Sequence, residues 1–340
     1  MRAMVMAAGL GTRLRPLTDH LPKPMVPVAN RPVLEHLFRR LTRSGVDAAI
    51  VNLHYHADAI RSYFGDGTHM GLPLQYSHEE ELLGTAGGTK RCEWFLTEDD
   101  DCFLVTSADG LHDVDVRSLV ASHRATEAVA TLAVKQVPET EQFGVVVTDE
   151  QGLVTAFQEK PKREEARSNL ANLGIYVFDH SVLGRIPSAT FYDFGRQVLP
   201  ELVADGLPMR VHETDAYWSD VGSVEELVAG NLSAVSGEIG IELPGKEVRP
   251  GVFAAEGVRI DDATEITGPV LIGRDATLAA SCQVSGPAVI GPGCTIGTGA
   301  AVRRAVLLPG STVASDGLIA SGVVGDAGQL AEAWRRWPVR

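Results

Sequence analysis

Between residue 3 and about residue 235, short apolar runs alternate with stretches whose apolar positions recur every three or four residues. The β-rich runs predict strands over residues 3–7, 48–53, 74–77 and 102–106, and the amphipathic spacing predicts helices over 33–44, 57–64 and 86–96. Parallel strands need a crossover between them, and a helix supplies it, so this alternation predicts a parallel sheet covered by helices. Beyond residue 128 the strands crowd together, at 129–135, 144–148, 154–159 and 174–178, which predicts a mixed sheet in the second part of the domain.

Residues 236–250, rich in Gly, Pro and charge, read as a linker, and beyond them the period changes. Every sixth residue from Ile260 runs Ile266, Ile272, Leu278, Val284, Ile290, Ile296, Val302, Leu308, Ala314, Ala320, so nine of these eleven are Ile, Leu or Val. Two residues earlier sit small side chains, among them Ala276, Cys282, Ala288, Cys294 and Ala300, and Gly273, Gly291 and Gly297 directly follow an aliphatic position. A period of six with a turn-permissive residue after the aliphatic one predicts a parallel β-helix of three to four coils. Cys282 and Cys294 then belong to its core.

Composition narrows the chemistry. The 340 residues are 44% hydrophobic and 22% charged, as in a soluble globular protein of about two domains. Four scattered cysteines with no CxxC pair suit a reducing compartment and argue against a disulfide framework or structural zinc. No run approaches the ~20 apolar residues of a membrane span, and a cytoplasmic location is expected. A net charge of −14 argues against a nucleic-acid surface. Residues 1–31 nevertheless carry Arg2, Arg13, Arg15, Lys23 and Arg31 against Asp19 alone, which suggests a small anionic ligand held at one place, or chance clustering on a solvated loop. His54-Tyr55-His56 lacks a third ligand for zinc and reads as loop, and His78-Glu79-Glu80-Glu81 as a charged approach to the segment after it.

The chemistry concentrates after the first strand, in Ala7-Ala8-Gly9-Leu10-Gly11-Thr12-Arg13-Leu14-Arg15-Pro16-Leu17-Thr18, with Pro22-Lys23-Pro24-Met25 close behind. Gly9 and Gly11 let backbone N–H groups approach a phosphate, and Arg13 and Lys23 supply positive charge. The dinucleotide fingerprint lacks its third glycine here and no GKS or GKT is present, so hydride transfer and P-loop hydrolysis fit poorly. The whole string resembles the signature of the sugar-1-phosphate nucleotidylyltransferases. The resemblance continues in order through Leu83-Gly84-Thr85-Ala86-Gly87-Gly88, Ser107-Ala108-Asp109, Phe143-Gly144-Val145-Val146, Gln158-Glu159-Lys160-Pro161, Asn172-Leu173-Gly174-Ile175-Tyr176 and Trp218-Ser219-Asp220-Val221-Gly222. It covers residues 1–235, and a hexapeptide tail is a common appendage in that family.

The resemblance implies that Ala8, Gly9, Gly11, Thr12, Arg13, Gly84, Thr85 and Gly87 hold a nucleoside triphosphate. Gly144, Glu159, Lys160 and Asn172 are implied to hold a sugar 1-phosphate, and Asp109 and Asp220 a Mg²⁺ ion. Arg13, Lys23, Asp109, Lys160 and Asp220 form the implied catalytic set. The family often carries an amide side chain and a bulkier neighbour around the metal aspartate, where this chain has Ser107, Ala108 and Gly110, which points to altered sugar selectivity. The PKPM segment, the approach to residue 83 and the tail look most like mannose-1-phosphate guanylyltransferases; thymidylyl- and adenylyltransferases share much of the pattern. A non-catalytic, pyrophosphorylase-like regulatory subunit is the alternative from another class, opposed by the intact charged set. An acyltransferase role for the β-helix is opposed by the absence of histidine from residues 250–325.

The expected fold is thus α/β: a Rossmann-like mixed, mostly parallel sheet domain over 1–235, a linker, a left-handed parallel β-helix over 251–325, and a helical cap over 326–340 in which Trp334 and Trp337 close the open end of the coil. A homo-oligomer is expected from base rates.

Overall fold

The computed structural model describes residues 1–98 and 100–336, so Trp337 and the last three residues of the expected cap lie outside the described residues. The first domain is built on a sheet of nine strands: Arg2–Met6 (β1), Ala48–Leu53 (β2), Leu74–His78 (β3), Cys102–Ser107 (β4), Ala130–Gln136 (β5), Gly144–Thr148 (β6), Val154–Glu159 (β7), Leu170–Asp179 (β8) and Met209–Glu213 (β9). Along the sheet they run β7-β6-β8-β4-β1-β2-β3, with β5 paired to β8 and β9 to β5.

The strands β3, β2, β1 and β4 are parallel neighbours, joined through helices Val33–Arg43 (α1), Ala57–Phe64 (α2) and Gly84–Arg91 (α3). From β4 onward the character changes. β8 runs antiparallel to β4, β5 and β6, and β6 antiparallel to β7. Parallel pairing therefore does not dominate the sheet as expected. Between residues 130 and 179 the connections are too short for crossovers, and short connections permit only antiparallel neighbours. The longer stretch from Asp179 to Met209, which holds the helix Leu199–Ala204, lets β9 pair parallel to β5. The stretch expected as one helix over 86–96 breaks at Cys92 into α3 and a turn at Glu93–Leu96. One face of the sheet buries Phe38, Leu41 and Phe64, and the other buries Phe103, Phe178 and Phe194. Helix Val224–Val235 (α4) closes the domain, started by a capping box in which Ser223 and Glu226 each bond the other's backbone N–H.

The remainder is a parallel strand stack. Strands of two or three residues pair with the strand eighteen positions on, as Val252 with Val270, Arg259 with Thr277 and Glu265 with Gln283. Three hexapeptides therefore make one three-sided coil. Ile272, Leu278, Val284, Ile290, Ile296 and Val302 form the inner ladder, with Ala276, Cys282, Ala288, Cys294 and Ala300 buried beside them. The register expected to run unbroken to Ala320 slips once. Ile290 stacks on Leu307, Ile296 on Val313 and Val302 on Ile319, seventeen positions away. Leu308 turns outward, where Leu271, Val289, Val306 and Leu308 pack against Leu14, Val28 and Leu227 of the first domain. The expected linker contributes a strand, Lys246–Arg249, antiparallel to the first coil.

The C-terminal helix Ala327–Arg336 (α5) does not cap the coil. Leu330 and Trp334 pack into the first domain's core with Leu21, Met25 and Tyr63, because that core offers an apolar surface to the helix's one apolar face. No helix among the described residues is long and apolar enough to cross a membrane.

Candidate active site

The carboxyl ends of β1, β2 and β4 meet in register, Met6 beside both Asn52 and Ser107. Parallel sheets bind ligands in the crevice beyond such ends, and two clefts open here. The first, about 420 Å³, is lined by Ala8, Gly9, Gly11, Thr12, Arg13, Lys23, Gly84 and Thr85, with Asn52, Glu79, Phe191 and Asp193 among the rest. The second, about 280 Å³, is lined by Gly144, Glu159, Asn172, Trp218 and Asp220 among others. Met6, Thr85, Ser107, Asp109 and Asp193 line both, so Asp109 stands at their seam.

The glycine loop is shaped for this position. Gly11 has φ 62, and a Cβ there would lie 2.8 Å from Cβ of Lys23, so only glycine lets the loop and the lysine pack together. The Lys23 ammonium, largely buried, donates to Asp109 Oδ2 at 2.6 Å, and Ser107 Oγ donates to the other oxygen. Arg13 Nη2, more exposed, meets Asp220 Oδ2 at 3.0 Å. Each expected metal aspartate is thus held by one expected phosphate-binding cation. Among the described residues no group of three or more His, Cys, Asp or Glu is placed to hold a metal. Two hard carboxylates on one cleft wall suit Mg²⁺, which binds through one or two carboxylates and completes its shell with water and phosphate oxygens.

The sugar-side residues converge less fully. Asn172 Nδ2 donates to the Tyr176 hydroxyl at 2.6 Å, and its Oδ1 accepts from Gly174 N. A Cβ on Gly144 would lie 2.5 Å from the Phe157 ring, so this glycine serves the crossing of β6 and β7. Desolvation pushes the Glu159 carboxyl above its ordinary range, opposed by Lys160. Lys160 stands exposed just past β7 at φ 48 and does not line the second cleft. Gly87 lies outside the first cleft: its N–H donates to the Tyr192 carbonyl, and a Cβ would collide with the Thr190 carbonyl.

Three participants were missed from the sequence. Asp193 takes a hydrogen bond from Thr85 Oγ1 at 2.8 Å and lines both clefts. Asn52 and Glu79 form a buried relay: Ala7 N donates to Asn52 Oδ1, Asn52 Nδ2 to Glu79 Oε1, and Leu83 N to Glu79 Oε2. It ties the glycine loop to the loop before α3. Glu79 is fully buried, so the segment read as a charged approach to residue 83 holds, at this position, a buried structural carboxylate.

Comparison with known proteins identifies the family. The nucleotidyl transferase family description matches residues 2–236, and that of the GMPPB C-terminal domain matches 266–336. A UTP–glucose-1-phosphate uridylyltransferase of Synechocystis sp. is 40% identical over 90% of this chain and 82% of its own. A mannose-1-phosphate guanylyltransferase of Mycobacterium tuberculosis is 35% identical over 81% of this chain and 76% of its own. A crystal structure from Bacillus anthracis, described as a glucose-1-phosphate thymidylyltransferase in complex with a sucrose, superposes with a TM-score of 0.64. It is 24% identical and covers 71% of this chain and 97% of its own, a likeness of fold. With the family description spanning the sheet domain and both clefts, the chain belongs to the nucleotidyl transferase family, as one of its sugar-1-phosphate nucleotidylyltransferases.

Proposed function

We propose that the first cleft holds a nucleoside triphosphate, the second a sugar 1-phosphate, and that they react at the seam beside Asp109. A phosphate oxygen of the sugar 1-phosphate forms a bond to the α-phosphorus while the bond from that phosphorus to the β-phosphate bridge breaks. Pyrophosphate departs with the electron pair and the nucleoside-diphosphate sugar remains. The attacking oxygen is already ionised, so no general base is needed. Holding two anions in line is the main task. Lys23 faces the transferring phosphate and Arg13 the departing one, where cations offset developing charge. Asp109 and Asp220 are the residues that would hold Mg²⁺, which, when bound, supplies further positive charge to the phosphates. Glu159 and Asn172 offer acceptors and a donor to sugar hydroxyls, and Lys160 reaches the sugar phosphate from the rim. The observation that carries this reading is the pair of cleft linings sharing Asp109.

Our reading of the substrates is GTP and mannose 1-phosphate, giving GDP-mannose. The match of residues 266–336 to the GMPPB C-terminal domain and the 35% identical guanylyltransferase support it. The 40% identical uridylyltransferase favours a second reading, UTP with glucose 1-phosphate. A left-handed sense for the coil and a cytoplasmic homo-oligomer belong to the same proposal; eighteen-residue coils support the first, and four buried free cysteines suit a reducing compartment. The deciding experiment sets GTP, UTP, dTTP and ATP against mannose and glucose 1-phosphates with Mg²⁺ and measures pyrophosphate. Highest kcat/KM for GTP with mannose 1-phosphate upholds the first reading; highest kcat/KM for UTP with glucose 1-phosphate replaces it by the second.

A further inference from the structure

The helix α5 is reached along the chain only through the coil stack, yet it returns to the opposite end of the sequence. Trp334, buried against Tyr63 with ring centroids 5.5 Å apart, donates its indole N–H to the Met25 carbonyl at 2.8 Å, across 309 residues. Met25 ends a single 3₁₀ turn that begins at Lys23, closed by Met25 N to Pro22 O at 2.9 Å and Val26 N to Lys23 O at 3.1 Å. The lysine stem is confined from the other side by Gly11, and its ammonium reaches Asp109. The indole therefore grips one end of the turn whose other end carries the seam's cation.

We propose that Trp334 is a positioning residue for Lys23, with the coil stack acting as the strap that brings it there. The inference rests on the role given to Lys23 above. A buried carbonyl deprived of its donor must find another partner or stay unsatisfied, and the turn rotates to relieve it. Rotation of so short a turn swings the ammonium at the end of its four-carbon stem, and misplacement by about 1 Å can cost up to ~10²-fold in rate. Trp334 does not line either cleft, so its loss leaves the substrate-binding walls in place.

The test measures kcat, both KM values and thermal unfolding for the full chain and for Trp334→Phe, Leu330→Ala, Lys23→Ala and the Trp334→Phe/Lys23→Ala double variant. Phenylalanine keeps an aromatic ring against Tyr63 and removes the donor together with part of the indole's buried volume, a packing loss for which Leu330→Ala is the control. Trp334→Phe should lower kcat roughly tenfold with both KM values within about twofold. Leu330→Ala, which empties the same core from the same helix, should lower the melting temperature and leave kcat unchanged. In the Lys23→Ala background, Trp334→Phe should cost less than about twofold more, because residues acting through one group are not additive. Wild-type kcat in Trp334→Phe, an equal kcat loss in Leu330→Ala, or an undiminished loss in the Lys23→Ala background would each overturn the clamp. A Lys23→Ala enzyme with wild-type kcat would overturn it differently, by removing the role of Lys23 on which it rests.

Discussion

Glu79→Gln changes one oxygen to an NH₂ group and almost nothing in shape, yet it should disable the relay that ties the two loops of the first cleft together. The relay has a fixed polarity. Ala7 N–H and Leu83 N–H are donors that cannot turn round, and the two side chains between them must supply three acceptors and one donor. Asn52 offers one oxygen to Ala7 and its amide hydrogen to Glu79, and the carboxylate accepts at both oxygens. A glutamine offers a single acceptor. If it faces Leu83, its NH₂ meets the Asn52 NH₂; if Asn52 flips to accept, its own NH₂ meets Ala7 N–H. Every arrangement leaves one buried donor opposed by another. With Asn52 and Glu79 essentially without solvent contact, the cost is about 1–3 kcal/mol. At ~2–4 °C per kcal/mol for a domain of this size, the melting temperature should fall by roughly 2–12 °C. Loosening both loops should also raise KM for the nucleotide several-fold with less effect on KM for the sugar phosphate. Differential scanning fluorimetry and steady-state kinetics read both, with exposed Glu80→Gln as the control expected to change neither. A Glu79→Gln protein that melts within about 1 °C of wild type, with unchanged nucleotide KM, would refute the relay.

Other perturbations separate the site's parts. Asp109→Ala and Asp220→Ala should each abolish Mg²⁺-dependent turnover while the protein still melts cooperatively near the wild-type temperature; near-normal rates in either remove that residue from the chemistry. A Cβ on Gly222 would lie 2.7 Å from Arg13 Nη2 and 3.0 Å from Asp220 Oδ2, so Gly222→Ala should displace the arginine head and cut kcat by about 10–100-fold with little loss of stability, measured by the same two assays. Burial lowers the pKa of His36 to about 4 and of His112 to about 3, so the unfolded chain takes up protons below about pH 6.5 that the native state refuses. Stability should therefore decline as pH falls from about 6.5 toward 4. Both ring nitrogens of His112 lack a partner, and His112→Leu should raise the melting temperature more at pH 5.5 than at pH 8; an equal gain at both would contradict the assignment.

What could be read from the sequence follows from how far each signal reaches along the chain. The strands β1, β2 and β4 and the hexapeptide ladder were legible because their periods are local. The slip in the last coil was not, since Leu307 and Leu308 are the same residue type and only the facing core decides which turns inward. The amphipathic pattern of α5 says that a face is buried but not against what. Asn52 and Glu79 are 27 residues apart, and a glutamate inside His-Glu-Glu-Glu carries the local mark of a solvated side chain. Asp193 was missed for the same reason, its partner Thr85 lying 108 positions away. Arg13, Lys23, Asp109 and Asp220 stood out through their setting in the motif, but the sequence did not show that Lys23 would pair with Asp109 and Arg13 with Asp220.

The most direct test is a crystal structure of the protein soaked with its nucleotide sugar and Mg²⁺. The diphosphate should lie across the seam, within hydrogen-bonding reach of Lys23 and Arg13, with the ion on Asp109 and Asp220, the base beside Gly84 and Thr85, and the sugar beside Glu159 and Asn172. A diphosphate bound elsewhere, with both aspartates still paired only to their cations, would contradict the account.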